Sequence, residues 1–220
     1  LYSSAASDVY KRQEVSDLVL LRREFPTLDA LLTKYDAQAE GACAFTLELS
    51  RTVARDRTRV TVDARDAALA WADRVQLDAG TPKQLVVDAS VSAARDRMDV
   101  HEARLMIHDT TASASGSFPL PVTGKAPDWL SLEQALCDAT AEGRLNVPHA
   151  EQVAGLFPAL DRALGPGRRE GPFECAFSLA PAPDGAMLQW QVTSPVSATL
   201  EFGEAFHKPS DVPLLAHGAW

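Results

Sequence analysis

An internal repeat constrains the fold of this chain more than any other feature of the sequence. Residues 25–32 read Phe-Pro-Thr-Leu-Asp-Ala-Leu-Leu, and residues 157–164, 132 positions later, read Phe-Pro-Ala-Leu-Asp-Arg-Ala-Leu. The same offset aligns Cys43 with Cys175, Phe45 with Phe177 and Leu47 with Leu179. After a slip of one residue the alignment continues: Leu69 with Leu200, Trp71 with Phe202, Val75 with Phe206 and Pro82 with Pro213. The repeat predicts about one and a half copies of one unit, stacked so that they share an apolar surface.

Each copy is predicted to begin with a helix. From residue 147 to 164 the apolar residues recur at intervals of three and four, which is typical of an amphipathic helix, and Gly165 follows as a terminator. Val19, Leu20, Phe25 and Leu28 give the first copy the same pattern. The segment 129–142 fits either a helix or a strand, and we favour a strand.

After each helix the apolar period changes to two, which predicts strands with one apolar and one polar face. The alternating apolar residues include Cys43, Phe45, Leu47, Val60, Val62, Leu85, Val87, Leu105, Ile107, Phe173, Cys175, Phe177, Leu188, Trp190 and Val192. Residues 88–92, 94–96 and 181–185 are predicted to be turns between strands.

The predicted fold is therefore mainly β with a few helices, of the α+β class. It is a curled antiparallel sheet of repeated meanders, with an open groove and one helix per repeat. The first repeat is expected at residues 14–146 and the second, truncated, at 147–220.

The first residues look foreign to this pattern. Residues 3–13 resemble the translation of a sequencing adapter read in an open frame. We therefore expect residues 1–13 to be adapter-derived, and either disordered or artefactual.

Composition excludes several classes of function. The chain has 30 acidic against 21 basic residues and 7% aromatics, which argues against a nucleic-acid partner because phosphate binding needs clustered positive charge. Apolar runs such as residues 18–21 are too short to span a bilayer.

Chemical motifs are also missing from the sequence. The histidines lack paired ligand spacing, so no metal site is expected, and no cofactor motif is found. Cys43 and Cys175 hold equivalent places among apolar neighbours, which favours small core residues over nucleophiles. A Ser, a His and an acid do not converge in the sequence, so we predict that the protein is not an enzyme.

A repeated sheet with one apolar face has two outcomes. The helices cover that face and form a closed core, or the sheet stays open and presents an apolar groove to an acyl chain. The residues predicted to line such a groove are Phe45, Leu47, Val60, Val62, Leu69, Trp71, Phe177, Leu179, Trp190, Phe202 and Phe206.

The helix that ends in Leu-Phe-Pro-Ala-Leu (156–160), the strand-end phrase Ala-Ser-Ala-Ser-Gly-Ser-Phe (112–118) and the segment from Phe202 to Pro213 resemble the periplasmic AsmA-like and TamB-like proteins. This resemblance implies a repeating β-groove that binds phospholipid acyl chains and helps to move lipid between the inner and outer membranes of Gram-negative bacteria.

The resemblance also implies a periplasmic location, an inner-membrane anchor in a missing amino-terminal segment, and outer-membrane assembly proteins as further partners. The alternative is a structural or adhesive cell-envelope module with a closed core and a protein partner.

Overall fold

The computed structural model describes residues 7–15, 30, 33, 36–52, 54–71, 75–120, 138–152, 167–182, 185–202 and 206–219. Sixteen strands are formed by these residues. In chain order they are β1 (Ser7–Val15), β2 (Ala37–Gly41), β3 (Cys43–Arg51), β4 (Arg55–Asp63), β5 (Ala67–Trp71), β6 (Val75–Leu77), β7 (Lys83–Ser92), β8 (Arg97–Ile107), β9 (Thr110–Pro119), β10 (Thr140–Val147), β11 (Arg169–Glu170), β12 (Phe173–Ala182), β13 (Gly185–Ser194), β14 (Thr199–Phe202), β15 (Phe206–Lys208) and β16 (Leu214–Ala219).

Ten of the strands form one antiparallel sheet in the order β1-β3-β4-β7-β8-β9-β10-β12-β13-β16. Most neighbours in this sheet are also neighbours in sequence, as in a meander. Two small sheets, β2-β5-β6 and β11-β14-β15, interrupt the meander, each with one strand before a pair of long strands and two strands after it. The prediction of a mainly β protein with a large antiparallel sheet is confirmed.

The predicted helices fall mostly outside the described residues. Residues 150–152 are helical directly after Pro148 and His149, where the second helix is predicted to begin. Ala30 and Thr33 are helical within the first predicted helix. Residues 129–137 also lie outside the description, whereas 140–147 form β10. No helix in the described ranges is long and apolar enough to cross a membrane.

Residues 7–13, for which disorder or an artefactual origin is expected, lie within β1. This strand pairs with β3 in a continuous register from Ser7 opposite Arg51 to Val15 opposite Cys43. The expectation of disorder is therefore wrong for these residues. An edge strand offers a row of unpaired backbone groups, and an extended segment of almost any sequence can satisfy them. The pairing leaves the origin of the segment untested.

The predicted turn at residues 88–92 is also wrong, because these residues complete β7. Asp88 lies opposite Glu102 and Ser90 lies opposite Asp99, so both continue the ladder with β8. A β-bulge in β8 between Val100 and Ala103 adds an extra residue at this point. Val100 and Ala103 are three residues apart, and in a regular strand they would lie on opposite faces. The extra residue in the bulge places both of them on the same face of the sheet.

The small sheet β2-β5-β6 packs against one end of the large sheet. Leu77 of β6 and Ile107 of β8 are both buried and form a cluster with Leu69 and Val75. In the second half of the chain, Val147 of β10 and Leu200 of β14 are buried in turn. The core of the described residues is therefore concentrated at this end.

Candidate functional site: the apolar face of the large sheet

One face of the large sheet is apolar from strand to strand. Residues that lie directly opposite each other in an antiparallel ladder project to the same side. A row of such residues crosses nine strands: Phe45, Val62, Leu85, Leu105, Ala112, Leu145, Cys175, Val192 and Ala216. Each strand thus contributes one apolar side chain to this first row.

Two further rows lie on the same face, each two residues along the strands from the last. The second row is Leu47, Val60, Val87, Ala103, Ala114, Gly143, Phe177, Trp190 and Gly218. The third is Leu49, Thr58, Ala89, Val100, Gly116, Ala141, Leu179 and Leu188. At usual strand spacings the three rows cover about 38 Å across the sheet and about 14 Å along it.

The predicted lining residues divide into three groups. Seven of them are brought together on the apolar face: Phe45, Leu47, Val60, Val62, Phe177, Leu179 and Trp190. Leu69 instead packs against the Leu77–Ile107 cluster of the small sheet. Trp71, Phe202 and Phe206 lie in the small sheets, and their side chains are outside the description.

The predicted lining residues leave out several residues of the same face. The leucines among them are Leu49, Leu85, Leu105, Leu145 and Leu188, and the apolar period of two along their strands is the signal that identifies them. Leu105 is 42% exposed and Trp190 is 38% exposed. Side chains of this size are usually buried when they belong to a shared apolar surface. Within the described part of the chain these side chains are therefore only partly covered.

The rings of the two aromatic residues in the second row lie close to neighbouring glycines. A Cβ atom on Gly143 would collide with the Phe177 ring, and a Cβ on Gly218 would lie 2.6 Å from Cζ2 of Trp190. Because Phe177 and Trp190 are directly opposed in the ladder, the two rings lean apart, towards β10 and β16. Covering glycines in this way is a known means of stabilising a sheet.

The middle of the face is a strip of small residues along β9. Ala112, Ala114 and Gly116 follow one another on this strand, with Ala103 and Gly143 beside Ala114. Leu105 and Phe177 stand on either side of the strip. We call this strip of small apolar residues the β9 channel.

The opposite face of the first strands is held by ion pairs. Asp88 of β7 is buried and accepts two hydrogen bonds from Arg57 of β4, at 2.8 Å and 2.6 Å. Arg59 lies 3.5 Å from the same carboxylate and 3.7 Å from Glu102. The hydrogen bonds from Arg57 lower the pKa of Asp88 below its usual value, against the opposing effect of burial. These contacts join β4, β7 and β8 across the polar face.

One pair of side chains bears on the question of enzymatic activity. Oγ of Ser90 lies 2.9 Å from Nε2 of His101, which the bulge in β8 places near Ser90. Ser90 is only 2% exposed, and no carboxylate of the described residues lies within bonding distance of the His101 ring. A nucleophilic serine needs access to a substrate, and its histidine needs an orienting partner. The pair is therefore better described as a contact between β7 and β8.

The two described cysteines, Cys43 and Cys175, are free. They are separated by six strand spacings in the sheet, or about 29 Å, whereas a disulfide needs Cα atoms within about 7 Å. Partial burial raises the pKa of the Cys43 thiol, which keeps it protonated and unreactive. Cys137 lies outside the described residues.

Among the described residues, no group of three or more His, Cys, Asp or Glu side chains is placed to hold a metal ion. Comparisons of the chain with protein-family models, with curated proteins and with solved structures found no match.

Proposed function

We propose that the apolar face of the large sheet binds the acyl chains of phospholipids. We further propose that the chain is part of an AsmA-like or TamB-like envelope protein that helps to move lipid between two membranes. The observation that carries the proposal is the row structure of the face, in which apolar residues are continuous across nine strands while several of the large side chains remain partly exposed.

The energetics favour an apolar ligand. Contiguous apolar patches larger than a few hundred Å² are unusual on soluble proteins and mark interaction surfaces. Each methylene group moved from water onto such a surface contributes about 0.8 kcal/mol. A long hydrocarbon chain can therefore bind firmly without a single directed polar contact.

The channel along β9 is the proposed seat of an acyl chain. Its floor of Ala112, Ala114 and Gly116 leaves space above the sheet that larger side chains would fill. Leu105 and the Phe177 ring would contact the chain from its two sides. Continuous apolar rows on both sides of the channel allow several acyl chains to lie next to one another.

We propose that the face was built by duplication of one unit, which supports a binding surface that extends along the chain. In each half the first strand of a three-stranded sheet precedes a pair of long strands, β3 and β4 or β12 and β13, and its other two strands follow that pair. Ala67 and Ala198, 131 residues apart, are both fully buried. A glycine with positive φ approaches each of them, Gly41 in the first half and Gly171 in the second.

Two buried lysines add to the case for duplication. Nζ of Lys83 donates to the carbonyl of Asp78 at 2.7 Å, and Nζ of Lys208 donates to the carbonyl of Pro209 at 3.2 Å. Asp78 and Pro209 are themselves 131 residues apart. Lys83 and Lys208 come from different positions in their units. Each nevertheless places its ammonium group at the equivalent backbone carbonyl, that of Asp78 or that of Pro209.

The resemblance of the sequence suggests where this function would operate. We propose the periplasm of a Gram-negative bacterium as the location, with outer-membrane assembly proteins as further partners of the whole protein. A polar and an apolar face on one sheet would let such a protein carry hydrocarbon chains on one side through an aqueous compartment.

Lipid extracted from the purified protein tests the proposal. Leu105→Asp places a charge beside the β9 channel, and we expect it to remove most of the co-purifying phospholipid because the charge would have to be desolvated beside the acyl chains. The measurement is mass spectrometry of extracted lipid, normalised to protein.

The matched control is Met187→Asp. Met187 is 39% exposed, close to the value for Leu105, but it lies opposite Ala180 on the polar face. It should leave the lipid content unchanged. Equal lipid content in both variants and the parent, with both variants folded, would contradict the proposal.

The burial of Ile107 and Val147 at one end favours a second candidate function, a structural or adhesive envelope module with a closed core and a protein partner. In that case the whole apolar face would be buried, as Ile107 and Val147 are. Leu105→Asp would then unfold the protein instead of lowering its lipid content.

A further inference from the structure

The strand β16 lies at one edge of the large sheet. It pairs with β13 on one side, from Leu214 opposite Ser194 to Ala219 opposite Gln189. Among the described strands, none pairs with its other side. An edge strand presents a row of backbone N–H and C=O groups on its unpaired side, and these groups can pair with an added strand.

The sequence of β16 lacks the usual protection of a sheet edge. Proteins commonly protect such edges with charged side chains, with Pro or with a β-bulge. β16 reads Leu-Leu-Ala-His-Gly-Ala, and its register with β13 is regular. At the opposite edge, β1 carries four charged side chains in nine residues. Leu215 of β16 is 66% exposed, so this edge also has apolar surface that a partner would bury.

The repeat indicates which kind of strand would fit this edge. Ala216 lies opposite Val192 in the first apolar row, just as Leu85 of β7 lies opposite Val62. Ala216 and Leu85 are 131 residues apart, which is the offset of the repeat in this region. β16 therefore corresponds to the first part of β7, and β13 corresponds to β4.

The two corresponding strands differ in their second neighbour. β7 is paired on both sides, with β4 and with β8, whereas β16 is paired with β13 alone among the described strands. The position that β8 occupies beside β7 is therefore unfilled beside β16.

We propose that the free edge of β16 binds an extended polypeptide segment with the pattern of β8, in antiparallel register. Main-chain hydrogen bonds would supply the affinity of such an added strand, and its alternate side chains would supply the specificity. The inference rests on the correspondence between the two halves of the chain and is independent of lipid binding.

The β7–β8 register, transferred to β16, predicts how the segment would lie. Ile107, Leu105 and Ala103 of the segment would face Leu214, Ala216 and Gly218, which extends the apolar face by one strand. On the polar face, Met106 would lie opposite the exposed Leu215 and Arg104 would lie opposite His217.

A labelled peptide with the sequence of β8, residues 97–107, tests the proposal. We expect fluorescence anisotropy to show saturable binding to the whole chain below about 1 mM. A peptide of the same composition in scrambled order should bind at least about tenfold more weakly, because its apolar residues would no longer fall on one face.

Charge variants of His217 test the site and the register together. His217 is exposed, so His217→Glu and His217→Lys should keep the fold. The Glu variant should bind the β8 peptide about fivefold more tightly than the Lys variant, because Arg104 of the peptide would face the new charge. With a peptide that carries Arg104→Glu, the order of the two variants should reverse.

The matched control is the pair Ser113→Glu and Ser113→Lys. Ser113 is exposed and lies in the same cross-strand row as His217, four strands away from it. These two variants should not differ in their affinity for either peptide.

Four results would overturn the proposal. They are the absence of saturable binding of the β8 peptide, equal binding of the scrambled peptide, an order of the His217 variants that does not reverse, and a stable dimer of the chain that the β8 peptide does not dissociate. The last result would assign the edge to a second copy. Lipid content is not measured in this experiment, so its failure would leave the proposed binding of acyl chains standing.

Discussion

Two positions on β8 show that one apolar face is divided into a covered part and an exposed part. Ile107 and Leu105 point to the same side of the sheet, two residues apart, and have similar side chains. Ile107 is 6% exposed because the small sheet β2-β5-β6 covers it, whereas Leu105 is 42% exposed. The difference teaches that the alternating pattern determines which face a residue joins, while the interrupting small sheets determine which part of that face becomes core.

The largest expected effect is a difference in stability between these two positions. Ile107→Ala removes buried contacts and should lower the free energy of unfolding by about 3 kcal/mol. Leu105→Ala should lower it by about 1 kcal/mol, because the side chain is already partly in water. Urea denaturation measures both. Equal losses of unfolding free energy would show that Leu105 is covered as fully as Ile107.

A second comparison concerns the glycines beneath the aromatic rings. Gly143→Ala should cost about 2 kcal/mol, because the new Cβ would meet both the Phe177 ring and the carbonyl oxygen of Ser113, at 2.7 Å. Gly218→Ala meets only the Trp190 side chain at close range and should cost about 1 kcal/mol. The check is thermal unfolding of both variants. The reverse order would show that the rings do not lie over these glycines.

The ion pairs of the polar face should stabilise the large sheet, and a substitution of Asp88 tests this. Asp88→Asn should lower stability at neutral pH by about 1.5 kcal/mol, since charged hydrogen bonds from the largely exposed Arg57 are lost. Because the pKa of Asp88 is lowered in the folded state, its contribution is present above the unfolded value near 3.8 and is lost as the pH falls through the folded value. The difference between parent and variant should therefore shrink in acid. A constant difference from pH 7 to pH 2 would argue against the ion pair.

The smallest effect is expected at Lys83, within the covered end. Burial lowers the pKa of Lys83, so its charge is a cost to folding at neutral pH. Lys83→Met should be neutral or stabilising by up to about 1 kcal/mol. As the pH rises towards 10.5 the parent should gain stability relative to the variant, because the folded state releases the Lys83 proton before the unfolded state does and so loses the cost of a buried charge. If Lys83→Met instead lowers the free energy of unfolding by more than about 1 kcal/mol, the hydrogen bond from Lys83 to the Asp78 carbonyl outweighs the cost of burying the charge.

Much of the fold could be predicted from the alternation of residues. Phe45, Val62 and Trp190 lie on the face that the period of two assigns to them. The pattern failed at β7, where Asp88 and Ser90 resemble turn residues. Both are paired across the ladder, and Asp88 is held by Arg57. Contacts with distant strands decided the outcome there, and a local pattern does not contain them.

The candidate site was harder to predict than the strands. Leu69 has the same alternation as Leu47 but belongs to a small sheet, where it packs against the core. The bulge between Val100 and Ala103 keeps the face apolar although the sequence changes parity.

Fluorescence of Trp190 tests the central claim most directly. The chain has four tryptophans, so Trp71, Trp129 and Trp220 are first replaced by Phe. The protein is then loaded with phospholipid that carries bromine on its acyl chains. If acyl chains lie on the apolar face, the emission of Trp190 will be quenched by the brominated lipid and not by the same lipid without bromine. Unchanged emission from a protein that holds the brominated lipid would contradict the account.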